Sequence, residues 1–272
     1  MQFIDRHFAH RLEMTDAQGG VAFARAYAEL FPESQATAAA FAGGWATFAG
    51  VDSPLTQAFA LGLSAPVEEA EIERMEDFFH SRGAAAYVEL CPYADPSIIE
   101  IFQRRGYTLI EFSNVLVRRL APEDTQLAAD ESVRVRRAEA HEARLWAETV
   151  ARGFFTEGEL PQSLLDLMGA SFHSTAGTHF LSEIDGQVAG GGGLVMHDRI
   201  ASLGGASTLP AFRNRGGQTA LLRARIRFAA ERGCEIIMVT TLPGTASQRN
   251  VERQGFRVVY TRSKLVKHAG GR

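Results

Sequence analysis

The chain has 272 residues, 46% of them hydrophobic and 22% charged, with a formal net charge of -4. The length suits one large or two ordinary domains, and the balance is that of a soluble globular protein. The acidic excess argues against a general nucleic-acid binder. No apolar run approaches the roughly 20 residues that span a bilayer, and Met1 to His7 lacks a basic-then-apolar signal pattern. The cytoplasm is therefore the expected location, with neither a membrane nor a nucleic acid as partner. Cys91 and Cys234, the only cysteines, stand in apolar, strand-like settings. They are expected to be buried free thiols, with no disulfide framework and no metal site.

In chain order, Glu68 to His80 is expected as the long helix of a first copy of the plan described below. Arg82-Gly83 follows, then a strand at Ala85 to Leu90, a helix at Ser97 to Arg105, and Gly106-Tyr107 leading into a strand over Thr108 to Leu120. The run from Ala121 to Ser132 is polar and acidic and reads as a linker. Val133 to Arg137 alternates like a strand, and Glu139 to Val150 is helical in period. Phe154 to Phe172 is mixed and helical in part. His179 to Ile184 and Gln187 to Met196 read as two strands of a hairpin turned at Asp185-Gly186. The glycine run 190–193 marks a thin or bulged strand where another backbone or a ligand comes close.

Ile200 to Leu209 is the next strand. A helix follows over Gln218 to Arg232, with Leu221, Ala224 and Phe228 on one side and Leu222, Ile226 and Ala229 on the adjoining one. Gly233 ends it. Glu235 to Thr241 is apolar on both faces, as a central strand is. Ser247 to Gln254 is a short helix stopped by Gly255, and Phe256 to Val266 is the closing strand. The pair Gly83 and Gly106 stands 23 residues apart by number, and the pair Gly233 and Gly255 stands 22 apart. With matching elements between them, the two stretches read as copies of one plan.

Between the Ile200 to Leu209 strand and its helix lies Pro-Ala-Phe-Arg-Asn-Arg-Gly-Gly-Gln-Thr, residues 210–219. The N–H groups at a helix start lack partners within the helix, and the helix dipole adds positive potential there. Glycines let that backbone approach a ligand, and arginines add charge-assisted donors, so the turn is suited to a pyrophosphate. The segment resembles the acyl-CoA loop of the GNAT superfamily of N-acyltransferases, Arg/Gln-x-x-Gly-x-Gly/Ala. Arg213 and Gly216 match it, while Gln218 stands where a small residue is usual.

The element order over about 135 residues is also that of the family. The resemblance implies an α/β (α+β) fold of two GNAT-like domains, each a mixed, mostly antiparallel sheet flanked by helices. Residues 1–120 would form a degenerate domain without the acyl-CoA loop, 121–131 a linker, and 132–272 the N-acetyltransferase domain.

The resemblance further implies acetyl-CoA as cosubstrate, with no metal. Ala206, Ser207 and Thr208 would pair with the pantetheine arm. Arg213, Asn214, Arg215, Gly216, Gly217, Gln218 and Thr219 would hold the pyrophosphate, and Ser247 matches a small or hydroxyl residue that also contacts the cofactor. A tyrosine usual before the Gly-Phe pair is Val251 here, and an asparagine usual earlier is Gly244. Tyr260 is the nearest tyrosine in sequence and the candidate replacement acid, although a strand tyrosine is more often a packing residue. Glu157, Glu183 and His197 are candidate bases, each also readable as scaffold. Trp146, Phe154 and Phe155 are candidates for an apolar acceptor pocket.

The implied function is transfer of an acetyl group to a primary amine, of a small molecule or a peptide, by direct attack in a ternary complex. The enzyme would act as a monomer or homodimer. The alternative is a non-catalytic acyl-CoA binding or sensing protein. A nucleotide binder is disfavoured, because no Gly-x-x-x-x-Gly-Lys-Ser/Thr loop occurs.

Overall fold

The computed structural model describes residues 4–128, 131–155 and 157–270. The elements begin with helix α1 (Arg6–Leu30) and strands β1 (Thr37–Phe41), β2 (Gly44–Phe48) and β3 (Gln57–Phe59). Helix α2 (Glu69–His80), strand β4 (Ala86–Leu90), helix α3 (Pro96–Arg104) and strand β5 (Thr108–Arg119) follow. Next come β6 (Arg134–Arg137), helices α4 (Ala143–Phe154) and α5 (Gln162–His173), and strands β7 (Gly177–Ile184), β8 (Gln187–His197) and β9 (Ile200–Thr208). Helix α6 (Gly217–Glu231), strand β10 (Ile236–Thr241), helix α7 (Ala246–Arg253) and strand β11 (Arg257–Lys267) close the chain.

Contacts divide the chain into two units, Met1–Leu116 with Thr240–Thr245 and Val258–Arg272, and Val117–Val239 with Ala246–Arg257. The division expected from sequence, at 121–131, leaves β11 with the second half. The contacts give β11 beyond Arg257 to the first unit, where it pairs antiparallel with β4 from Ser263↔Leu90 to Lys267↔Ala86. The expected linker contains a short 3-10 helix, Pro122–Gln126, grouped with the second unit. Its Asp124 is buried, takes the Ala121 N–H at 2.9 Å and pairs with Arg118. Residues 129 and 130 of that linker lie outside the described residues.

In the first unit the strand order is β1-β2-β3-β4-β11-β5. Helix α1 and strands β1 to β3 have no counterpart in the elements expected from sequence. Asp5 caps α1 by accepting the Phe8 N–H at 2.7 Å, and the helix buries Phe8, Leu12, Val21 and Phe23. Gly20 lets α1 approach β2, because a Cβ there would stand 3.0 Å from Thr47 Oγ1. Helix α2 opens with Glu69 and Glu71 in its first turn, negative charge where a phosphate would need positive.

In the second unit the order is β10-β9-β8-β7-β6. The β7–β8 hairpin turns at Asp185 and Gly186, both at positive φ, 54° and 75°, which suits a type I′ turn. Strands β6 to β9 are antiparallel, and β10 runs parallel to β9. Helix α4 begins four residues later than the periodicity suggests, after a 3-10 turn at Ala140–Glu142. Both cysteines are free and buried. The fold is the mixed, mostly antiparallel α/β type expected.

Candidate functional site in the second unit

Strand β9 provides the backbone of the site. It pairs with β10 from Ile200↔Ile236 to Leu203↔Val239, and no such pair continues through Gly204 to Thr208. On its other side β9 pairs with β8, where the register shifts between Gly191↔Ser207 and Gly193↔Gly204. The extra residue is on β9, and Gly205 takes a φ of 57°. A bulge of this kind turns backbone groups out of the ladder. Gly204 and Gly205 are exposed and Ala206 is half-buried, so the free edge is open.

The glycine run of β8 makes the close packing here possible. A Cβ at Gly190 would stand 2.5 Å from Ser207 O, and one at Gly191 would stand 3.0 Å from Val150 Cγ2 and 3.2 Å from Trp146 Nε1. One at Gly192 would stand 3.2 Å from both Ala206 Cβ and Arg225 Nη1. Helix α4 lies against β9, with Ser207 Oγ donating to Val150 O at 2.8 Å. Ser207 therefore turns its side chain to the helix and leaves only its backbone for a ligand.

Beyond Thr208 the chain makes a 3-10 turn at Pro210–Phe212 and then the loop. Asn214 and Gly216 both take left-handed φ, 61° and 81°. The second value suits glycine, and Gly216 is the N-cap residue just before α6. The first N–H bonded back into the helix is that of Ala220, to Gly216 O at 3.0 Å, so the N–H groups before it face the loop. Arg213 clamps the base of the loop, donating from Nη2 to Gly153 O at 3.0 Å and from Nε to Thr208 O at 3.4 Å. Arg215 is held by Asp185 at 2.7 Å. Gln218 donates from Nε2 to Thr208 Oγ1 at 2.9 Å. Thr219 Oγ1 lies 3.4 Å from Asn250 Oδ1. Ser247, exposed on α7, is one turn before Asn250 on the same helix face.

The nine positions from Ala206 to Thr208 and from Arg213 to Gly217, with Gln218, thus form one continuous strand-to-helix corner. A positive-φ glycine, unpaired N–H groups and two arginines there fit a pyrophosphate, and the open β9 edge fits an amide-bearing chain running up to it.

The catalytic candidates are dispersed. Glu157 is exposed just past α4, whose Gly153 carbonyl holds Arg213. Phe154 and Phe155, 56% and 49% exposed, flank the same helix end, whereas Trp146 is core: it packs on His179 and Phe172 and donates to Phe180 O at 3.2 Å. His197 pairs with Ile200 at the end of β9 remote from Thr208. Eight residues of strand, about 27 Å, separate it from the loop. Glu183 is bound by Arg136 at 2.6 Å. Tyr260 belongs to the first unit, is 7% exposed and donates to Glu13 Oε1 at 2.7 Å. Val251 is buried in α7, and Gly244 lies in a turn at φ 75°.

Buried titratable groups also escaped the sequence reading, among them His179 and Arg225 in the second unit. His179, stacked on Phe172, has its pKa pushed down to about 4, chiefly by burial and then by His173. Arg225 on α6 is 3% exposed, and burial lowers its pKa to about 10. Its position in the helical pattern, beside Ile226 and Leu222, is a sign that could have been read: a cation interrupting an apolar face.

Among the described residues no helix is long and apolar enough to cross a membrane, and no group of three or more His, Cys, Asp or Glu could hold a metal.

No curated protein matches the chain. Among solved structures, a GCN5-related N-acetyltransferase from Kribbella flavida is similar at a TM-score of 0.64 and 19% identity, over 93% of this chain and 97% of that one. A tandem GNAT protein from the clavulanic acid biosynthesis pathway is similar at 0.59 and 14%, over 84% and 79%. A GCN5-related N-acetyltransferase from Sphaerobacter thermophilus is similar at 0.55 and 16%, over 78% and 71%. These likenesses extend across both units and concern the fold. In sequence, residues 140–256 match the acetyltransferase (GNAT) family model, which covers α4 through α7 and the whole β9–α6 corner. Over that segment the chain is similar to the GNAT family of acetyltransferases.

Proposed function

We propose that the chain is an acetyl-CoA-dependent N-acetyltransferase acting on a primary amine. The observation that carries this reading is the free edge of β9 from Gly204 to Thr208, which runs directly into the unpaired N–H groups at the start of α6. Gly216, Gly217 and the neighbouring N–H groups would hold the pyrophosphate, with Arg215 and Arg213 beside them. Ala206 to Thr208 would pair with the amides of the pantetheine arm. Acetyl-CoA supplies a thioester, whose acyl carbon an amine can attack directly.

The chain's own contributions are orientation and charge. The bulged backbone at Gly205 and Ala206 presents polar groups to the reacting carbonyl. Phe154 and Phe155 would wall the acceptor side, and Glu157 beside them is the candidate to take the amine's proton, directly or through water. An amine of pKa near 10.4 must lose that proton to react. The departing thiolate, with a pKa near 8.5, needs no dedicated acid. Val251 at the usual tyrosine position therefore does not preclude turnover.

The test is a thiol-release screen with acetyl-CoA against amines and peptides, run beside a double variant, Arg215→Glu with Gly216→Asp. Thiol release by the parent with at least one amine, and loss of acetyl-CoA binding in the variant, are expected. A variant that binds as well as the parent overturns the loop assignment.

One observation favours a second reading, binding without transfer: Val251 is buried, with no acid in its place. Tight acetyl-CoA binding with no release across the panel would select that reading.

A further inference from the structure

We infer that Arg225 is a positioning residue for acyl transfer, a buried cation placed behind the β9 bulge to orient and polarise the backbone that meets the thioester. This rests on the acyltransferase reading and deepens it. Arg225 lies within α6, 3% exposed, among apolar neighbours such as Leu221, Leu222 and Ile226. Both of its hydrogen bonds go to backbone carbonyls: Nε donates to Leu221 O at 3.2 Å and Nη1 to Gly193 O at 3.0 Å. Burial alone sets its lowered pKa, and no carboxylate among the described residues offsets its charge. An aliphatic side chain would fill this helix position without the desolvation cost of a charge. The guanidinium needs some other account.

Its placement provides one. Gly193, whose carbonyl it holds, pairs with Gly204, the last ladder pair before the bulge. The point where a Cβ would stand on Gly192 is 3.2 Å from Arg225 Nη1 and 3.2 Å from Ala206 Cβ. The cation and the bulge are thus immediate neighbours, with only a glycine between them. Gly192 has no side chain where any other residue would press on both. This gives the glycine run of β8 a second use beyond close packing. A positive charge in a dry interior acts at several ångströms with little screening. Here it lies behind Ala206, on the strand whose backbone is open to the ligand. Negative charge developing on a carbonyl oxygen at that edge would be stabilised by it, and the Gly193 bond fixes the bulge that aims the edge.

The test uses the full chain with acetyl-CoA labelled with carbon-13 at the acetyl carbonyl, read by isotope-edited infrared spectroscopy and by steady-state thiol release. Parent binding is expected to move the carbonyl band to lower frequency. Arg225→Met should bind acetyl-CoA with nearly the parent's KM but lose most of that band shift. Its kcat should fall on the order of tenfold, less than loss of a direct oxyanion donor costs. Arg225→Lys should recover part of both. Gly192→Ala, which keeps the arginine but crowds its Nη1, should move band and kcat in the same direction by less, and it serves if the Met variant does not fold.

A Met or Ala variant with the parent's band and kcat overturns the inference. Loss of KM and kcat together with an unchanged band, and no rescue by lysine, also overturns it, because that is the behaviour of packing alone. A parent that binds no acetyl-CoA overturns the acyltransferase reading itself, an outcome seen before any variant is made.

Discussion

Gln218 Nε2 donates to Thr208 Oγ1 at 2.9 Å, tying the first turn of α6 to the last residue of β9. Position 218 is where the family pattern has a small residue. The glutamine side chain folds back as a brace across the strand-to-helix corner. Gln218→Ala should therefore cost about 1 kcal/mol of stability, the worth of one neutral hydrogen bond. If the brace holds the loop, KM for acetyl-CoA should rise about fivefold, as the same energy allows. Denaturant unfolding and initial rates check the two halves separately.

Two glycines near the same corner should behave oppositely. A Cβ at Gly190 would press on Ser207 O at 2.5 Å, a backbone atom that cannot swing aside. Gly190→Ala should destabilise the protein by about 1–3 kcal/mol. Nothing lies within 4 Å of a Cβ at Gly204. Gly204→Ala should fold with a stability change of about 0.5 kcal/mol or less. It should nevertheless weaken acetyl-CoA binding measured by calorimetry, because the new methyl stands on the open edge of β9.

His179 gives a pH dependence with a definite sign. Its folded pKa is about 4 against 6.5 for an ordinary histidine, so on acidification the unfolded chain takes up the proton first. The stability tied to the neutral ring is full above pH 6.5 and is lost as pH falls from 6.5 to about 4, up to roughly 3 kcal/mol in all. In His179→Gln that part of the slope should be missing. Thermal unfolding followed from pH 7 to pH 4.5 in parent and variant measures it.

The first unit holds a buried ionic cluster. Arg262 donates to Glu13 at 2.7 Å and to Asp16 at 2.7 Å, and Tyr260 donates to the same Glu13 oxygen. Glu13 is fully buried, which raises its pKa against the lowering pull of Arg262. Removing one partner strands a charge. Arg262→Met should cost about 3–5 kcal/mol. Tyr260→Phe should cost about 1–2 kcal/mol and leave the kcat for thiol release within a factor of about two, since its hydroxyl is engaged by Glu13. A loss of kcat at unchanged stability in Tyr260→Phe would restore it as the acid.

The corner was legible in the sequence because its signals are local. A strand that ends in Thr208, a glycine at a helix start and a glycine at the helix end each act within a few residues. The Asp185-Gly186 turn was legible for the same reason. Helix α1 was missed although Asp5 is a standard capping residue, because Gly19 and Gly20 interrupt its apolar period and long-range packing on β2 restores what propensity takes away. Strands β1 to β3 are three to five residues long and rich in alanine, too short to show an alternation. The catalytic candidates were the least legible. His197 is next to the site in sequence and a full strand length away in space, and Tyr260 is fixed by Glu13, a residue 247 positions earlier. Contacts of that span leave no trace in spacing.

The membership of β11 has a consequence for how the protein is made. The first unit is not complete when its first 116 residues exist, because its sheet still lacks the strand between β4 and β5. On the ribosome, α1 through β5 must wait with an unfilled place, and Glu13 must wait with no cation, until residues 258–267 emerge. The usual order, an N-terminal domain folding before the next is synthesised, is closed to this chain. The second unit, whose last residue is Arg257, is complete in sequence before the first, and a first unit halted before β11 should remain a substrate for chaperones and proteases.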